Sequence, residues 1–180
     1  MRRNLSAWPC SVARAADVLG DAWTLVILRD SFHGVTKFDD FHKSLGIARN
    51  TLSDRLTNLV EAGVLTKEFY QDNPPRYEYL LTDMGHDLFP AIAALLAWGD
   101  RWLGNGDGPP VGLYHRPCGH DAQVDVVCGH CRQSLADDDV QFVKGSGYPD
   151  VVTEGGDFRD RLALVPGGEG GEPQGRRKAF

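Results

Sequence analysis

Two short amphipathic stretches, separated by a three-residue turn, constrain this chain more than anything else in it. Phe38, Phe41 and Leu45 recur at i, i+3 and i+7, which marks one apolar face of a helix. Gly46 is a natural C-terminal stop, and after Ile47 and Ala48 the spacing predicts a second helix from Arg49 to Ala62. Its apolar stripe is Leu52, Leu56, Leu59 and Val60, and Gly63 closes it. Two helices joined by so tight a turn make a helix-turn-helix. Thr36 with Asp39 three residues on resembles a capping box for the first of them, Asp replacing the usual Glu.

The flanking elements fit the same plan. Residues 1–9 read as an N-terminal arm. Val12, Ala15, Ala16 and Leu19 space as one face of a helix over 11–19, which Gly20 ends. Asp21 can cap a helix from Ala22 to Phe32 that is apolar nearly all round, as a central core helix must be. Residues 64–70 are strand-like, Gln71 to Pro75 have turn composition, and 76–81 alternate as a second strand. This hairpin reads as a wing. Thr82 then caps a long helix, about 83–103, which Pro90 should kink. Leu88, Ile92, Leu95, Gly99 and Trp102 form one stripe, and Phe89, Leu96 and Leu103 a second. Together they are too wide for a small wing to cover, so a partner chain is expected to cover them, with Leu88, Ile92, Leu95, Leu96 and Trp102 in the interface. The expected class is therefore mainly α with a small β wing: a winged helix-turn-helix over 10–104 whose long C-terminal helix dimerises. A linker at 105–110, a small Cys/His unit at 111–143 and a Gly-rich tail at 144–180, largely disordered by composition, follow.

A recognition helix needs one apolar face for its core and one polar face for base edges. Here the polar face is Arg49, Asn50, Thr51, Ser53, Asp54, Arg55 and Asn58. Arg pairs bidentately with guanine and Asn with adenine, so Arg49, Asn50 and Thr51 in the first turn are the expected readers. Ser53 and Arg55 are candidates for bases or phosphates, and Lys43 and Lys67 for phosphates. Arg76, opening the returning wing strand, can reach backbone or minor groove. Taken singly, each is also an ordinary solvated position; the order of the elements is what points to DNA. The chain's net charge of −6 looks wrong for such a partner. DNA feels the local face, however, and across 43–67 the sign reverses, with Lys43, Arg49, Arg55 and Lys67 against Asp54 and Glu61.

These residues resemble the HxlR-type winged helix regulators, also described as MarR-like. The matching text runs from Cys10 to Asp30, through Phe38 to Phe41, Leu45 to Ile47 and Thr51 to Leu59, to Gly63 to Leu65 and Pro75 to Thr82 with Gly85, and ends at Trp98 and Gly99. The resemblance covers about residues 8–104. It implies a homodimer that reads a palindromic operator with two recognition helices, most simply as a repressor. Members often carry a small hydroxyl residue before the recognition helix. Ala48 stands there instead, so capping must come from elsewhere at a cost of about 1 kcal/mol. In several members a cysteine at the start of the first helix senses oxidants or electrophiles, and Cys10 matches that position. A thiol at a helix N-terminus with Arg14 one turn on suits that chemistry; the alternative is an inert, buried small residue.

The other cysteines cluster late. His115-x-x-Cys118-Gly-His120 precedes Cys128-Gly-His130-Cys131. The Cys128–Cys131 spacing is that of a zinc-ribbon knuckle. Cys118 would add a third thiolate, and His115 or His120 would complete a structural Zn²⁺ site, with a strand over 122–127 joining the halves. A Cys128–Cys131 redox pair or unliganded thiols are the alternatives.

No general base in a shaped pocket is evident, so an enzyme is not expected, and a thiol oxidoreductase lacks its usual strand–helix setting. No apolar run approaches the roughly 18–20 residues of a membrane span, and Met1 to Asn4 lead into no apolar stretch of the kind a signal peptide has. The expected place is the cytoplasm, on the nucleoid. The main competing function is a zinc-ribbon-bearing interaction module whose winged surface binds protein instead of DNA.

Overall fold

The computed structural model describes residues 5–104 and 106–152. In chain order the elements are α1 (Ser11–Leu19), α2 (Ala22–Phe32), α3 (Phe38–Leu45), α4 (Arg49–Glu61), β1 (Leu65–Gln71), β2 (Arg76–Leu81), α5 (Asp83–His86), α6 (Phe89–Trp102), β3 (Tyr114–His115) and β4 (His120–Asp121). A mainly helical body therefore carries a small antiparallel wing, as the sequence predicts.

The core is where the apolar faces of α2, α3 and α4 meet. Ile27, Leu28, Phe41, Ile47, Leu52, Leu56, Leu59, Val64 and Leu65 form one buried cluster. Fully burying a residue of this kind contributes roughly 1.5–3 kcal/mol, so the three-helix contact dominates the cohesion of the fold. Asp21 Oδ1 accepts from the Trp23 N–H at 3.0 Å and caps α2 as expected. Gly46 ends α3 in the left-handed region (φ 64), and its N–H reaches His42 O. A side chain there would carry the left-handed penalty of about 1–2 kcal/mol, so glycine sets the sharp entry to α4.

Four local expectations need correction. The first is the capping box at Thr36, which does not form. Lys37 occupies the N-cap of α3 with no side-chain cap, while Thr36 is drawn into the wing: its O accepts from Tyr79 N–H at 2.7 Å and its hydroxyl reaches Glu78 Oε2 at 3.3 Å. The second is the long helix, which is broken. Pro90 lacks an N–H and its ring would strike the carbonyl four residues back, so α5 stops at His86 and α6 starts at Phe89 with Pro90 in its first turn. The third is the predicted face of α1. Val12, Ala15 and Ala16 are exposed, and it is Val18 and Leu19 that pack on the core. The fourth is the strand over 122–127. Ala122 N–H bonds Leu113 O, Val126 O accepts from Leu135 N–H and Val127 forms a single bridge with Ser134; among the described residues no continuous strand forms over this stretch.

The wing is locked to the body at its base. β1 and β2 pair antiparallel with Leu65 opposite Leu81 and Phe69 opposite Tyr77. Thr82 Oγ1 lies 2.7 Å from Gly63 O and accepts from Gly85 N–H at 3.1 Å. Residues 5–9 fold back on α1, with Leu5 N–H bonded to Asp17 Oδ1; residues 1–4 of the predicted arm lie outside the described residues. Beyond α6, residues 109–113 and 121–124 border an open cleft of about 410 Å³ against Leu96, Ala97, Asp100 and Arg101. Residues 144–152 are turn and bend, and the rest of the predicted tail, 153–180, lies outside the described residues.

A Cβ on Gly85 would strike the Val64 carbonyl and crowd Leu81. Gly85→Ala is therefore expected to cost about 1–3 kcal/mol by overpacking. A thermal unfolding midpoint unchanged from wild type would show that the base of the wing is not so tightly closed.

Candidate nucleic-acid interface

The face that sequence reasoning assigns to DNA is assembled by α3, α4 and the wing. Leu52, Leu56 and Leu59 are wholly buried, so the opposite side of α4 must point outward. Arg49, Asn50 and Ser53 are exposed there, as are Asp54 and Asn58, whereas Thr51 is half-buried. Ala48 occupies the N-cap of α4 without a side-chain bond, and part of the shortfall is met by Asn50, whose Oδ1 accepts from Thr51 N–H at 3.0 Å. Asn50 thus keeps its NH₂ donors free while its oxygen is engaged.

The structure gives the predicted cations different settings. Arg49 Nη2 lies 2.9 Å from Asp39 Oδ1, and its guanidinium stands 4.8 Å from the centroid of the Phe38 ring. Arg76 Nη1 lies 3.7 Å from the other Asp39 oxygen. Lys67 Nζ sits 4.1 Å over Tyr77, and Lys43 is exposed. Sequence reasoning had no signal for the central place of Asp39, nor for Lys37, which sits 4.9 Å over Tyr70 and adds a further cation. Phe38, Asp39, Arg49, Tyr70, Arg76 and Tyr77 line an open depression of about 350 Å³ between α4 and the wing.

Arg55 does not share this surface. Its Nε lies 2.9 Å from Asp21 Oδ1, both side chains being about a quarter exposed. The spacing contained the clue: Arg55 falls three residues after Leu52 and four before Leu59, on the edge of the buried stripe. The pair ties α4 to the N-terminus of α2. Burial pushes the Asp21 carboxyl up, but the Arg55 bond and charge, with the N–H groups of Trp23 and Thr24, outweigh it and hold it below its usual value of 3.8.

The expected dimer residues divide. Leu88 and Ile92 pack against the core of their own chain. Leu95, Trp98 and Trp102 are half to two-thirds exposed and Phe89 somewhat less; Trp98 lies in neither predicted stripe. Leu96 is half-buried. Cys10 is half-buried at the N-cap of α1, and Arg14 beside it bonds Trp8 O at 2.8 Å and Ser11 Oγ at 3.0 Å.

The Cys/His segment forms two separate pairs. His115 Nδ1 lies 3.1 Å from Cys118 Sγ, whereas His120 Nδ1 is turned to Cys118 O at 2.6 Å. The N–H groups of Cys131 and His130 and the Cys131 thiol bond to Cys128 Sγ and lower its pKa from the ordinary thiol value. Among the described residues no three His, Cys, Asp or Glu side chains converge on one metal position, so the four predicted ligands are not gathered.

The HxlR-like helix-turn-helix family matches residues 18–107. The chain belongs to the HxlR family. An HTH-type transcriptional regulator of Mycobacterium tuberculosis, Rv3095, is 44% identical over 138 residues, covering 77% of this chain and 87% of the relative. The regulator sll1512 of Synechocystis is 32% identical over 95 residues, covering 52% of this chain and 70% of the relative. Among solved structures, the transcription-factor candidate PA1607 superposes with a TM-score of 0.68 at 39% identity, covering 76% of this chain and 95% of that one. A second, PA1374 from Pseudomonas aeruginosa, gives 0.56 at 30% identity, with 85% and 100% covered. This HxlR member is thus a transcriptional regulator of the helix-turn-helix type and not an enzyme. Among the described residues no helix is long and apolar enough to cross a membrane.

Because the folded Asp21 pKa is depressed, its contribution to stability is present above pH 3.8 and is lost as pH falls through the lower folded value. Arg55→Ala should cost about 1 kcal/mol at neutral pH, the worth of one ion pair near the surface, and the penalty should shrink in acid below pH 3.8. Urea titrations at neutral and acid pH check this; a penalty equal at both would exclude the ion pair as its source.

Proposed function

We propose that this HxlR member is a homodimeric, sequence-specific DNA-binding protein acting as a repressor, with α4 lying in the major groove. One observation carries the reading: α4 buries Leu52, Leu56 and Leu59 completely and turns Arg49, Asn50 and Ser53 to solvent beside a wing edged with Lys67 and Arg76. Arg49 and Asn50 would read base edges, with Thr51 reached only at its exposed edge. Ser53, Lys43, Lys67 and Arg76 would hold phosphates and set the register. Arg55 belongs to the frame that aims the helix.

Dimerisation is supported by the apolar surface of α6. Leu95, Trp98 and Trp102 on α6 and Leu103 at its C-cap are each at least half exposed, and a surface of this kind marks an interaction site. A two-fold dimer presents two α4 helices to a palindromic operator. A dimer bound where its operator overlaps a promoter would block the polymerase, hence the reading as a repressor, with the nucleoid in the cytoplasm as its place of action.

Selection from randomised duplexes should return a palindrome, and binding to it should weaken steeply with salt as bound counterions are released. Arg49→Ala should cost about 1–3 kcal/mol of discrimination at one position of each half-site. A protein that selects no duplex, but retains another protein on the same surface, would replace this function with that of an interaction module.

Two finer readings each carry their own test. The half-buried thiol of Cys10, at the start of α1 next to exposed Val12, is read as an oxidant sensor that changes the dimer through a disulfide or a sulfenic acid. The two Cys/His pairs are read as half-sites for structural Zn²⁺. Each is a four-residue loop followed by a left-handed residue, Gly119 (φ 73) and Arg132 (φ 64), and His115 already faces Cys118. Peroxide should release the operator from wild type and not from Cys10→Ser. Elemental analysis should find one zinc per chain, lost in Cys118→Ser. Equal release from both proteins, or no zinc in freshly purified protein, would remove the corresponding reading.

A further inference from the structure

Asp39 stands where a DNA-binding face should carry no negative charge. It lies in the first turn of α3, about three-fifths exposed, and its two oxygens point to two different elements: Oδ1 to Arg49 at the start of α4, Oδ2 to Arg76 at the start of β2. Exposed ion pairs of this kind add little to fold stability, and a carboxylate facing phosphates repels them. Neither consideration explains its position. The geometry around Arg49 does. The guanidinium is held on two sides, by the Asp39 oxygen at 2.9 Å and by the Phe38 ring at 4.8 Å. That contact uses one of the five N–H donors of the guanidinium and leaves the others for a base edge. Bidentate reading of guanine demands a fixed plane and direction, and two adjacent residues of α3 supply both.

We propose that Asp39 is a positioning residue for sequence reading: it aims Arg49 at a base edge, couples that reader to Arg76 of the wing, and holds down indiscriminate binding to phosphates. The inference rests on the operator-binding reading above. A single carboxylate that joins helix and wing makes the two contacts depend on one another. A duplex with the right base opposite Arg49 keeps the Asp39–Arg49 pair intact. One with the wrong base gains only phosphate contacts, against which Asp39 stands as a fixed charge.

The test compares the full-length wild type, Asp39→Asn, Asp39→Glu, Arg49→Ala and the Asp39→Asn/Arg49→Ala double variant. The probes are the duplex selected by the wild type, the same duplex changed at the Arg49-dependent base pair, and a random duplex. Asp39→Asn should bind random duplex more tightly, with a salt slope steeper by about one. It should lose roughly 5- to 10-fold of discrimination at that base pair, part of what a bidentate contact is worth. In the double variant the Asp39→Asn change should add nothing at that base pair, because the two residues act as a unit. Asp39→Glu, which keeps the charge, should restore part of the loss. Thermal unfolding should be nearly unchanged throughout. If Asp39→Asn tightens binding to all three duplexes equally, Asp39 is merely a repelling charge and the proposal fails while operator binding stands. If the wild type selects no duplex at all, both readings fail together.

Discussion

The contact between the leucine stripe of α4 and the residues of α2 and α3 beneath it is the constraint on which the rest depends. Leu52, Leu56 and Leu59 repeat on one side of α4 and meet a cluster that includes Ile27, Leu28 and Phe41. Once that side is buried, the rotation of α4 about its axis is fixed, and with it the direction of every polar side chain on the other side. The Arg55–Asp21 pair fixes the same helix along a second line. Since Asp21 also caps α2, one carboxylate serves both the start of one helix and the seating of another. The capacity of the exposed face to read anything follows from the rigidity of the hidden one.

The wing inherits its position from the same core. Val64 and Leu65 are buried members of the cluster, so β1 leaves the body already anchored. Thr36 and Tyr79 add a backbone bond from the segment preceding α3, and Thr82 with Gly85 closes the far side. Helix and wing are therefore held as one surface. The short α5 belongs to this closure, and only beyond it, at Phe89, does the chain set out along α6 toward the apolar surface that Trp98 and Trp102 carry.

Much of this was legible in the residues, for reasons that differ from place to place. The boundaries of α1 and α2 follow from glycine stops and the Asp21 cap. The hairpin follows from two strand-like runs around Asn73, Pro74 and Pro75. The apolar period of α4 locates its buried side. What the sequence concealed was partner choice. Thr36 has a legitimate capping pattern, yet a neighbouring strand competes for its hydroxyl and carbonyl and wins. Asp39 reads as the other half of that cap and instead faces two arginines that arrive from 10 and 37 residues away. Arg55 has the composition of a reader and the spacing of a buried-face residue, and the spacing prevailed. Within the Cys/His segment, spacing defines each pair but not whether the pairs meet.

Three cations on this face rest against aromatic rings: Lys37 on Tyr70, Lys67 on Tyr77 and Arg49 on Phe38. A free lysine or arginine side chain holds about 2 kcal/mol of rotamer entropy, most of which is forfeited when it is pinned on a partner. Here part of that freedom is surrendered during folding, when the charged ends settle over the rings. Association with a polyanion then begins from side chains that are already narrowed in their wandering, and the conformational toll of complex formation falls on the folding reaction instead.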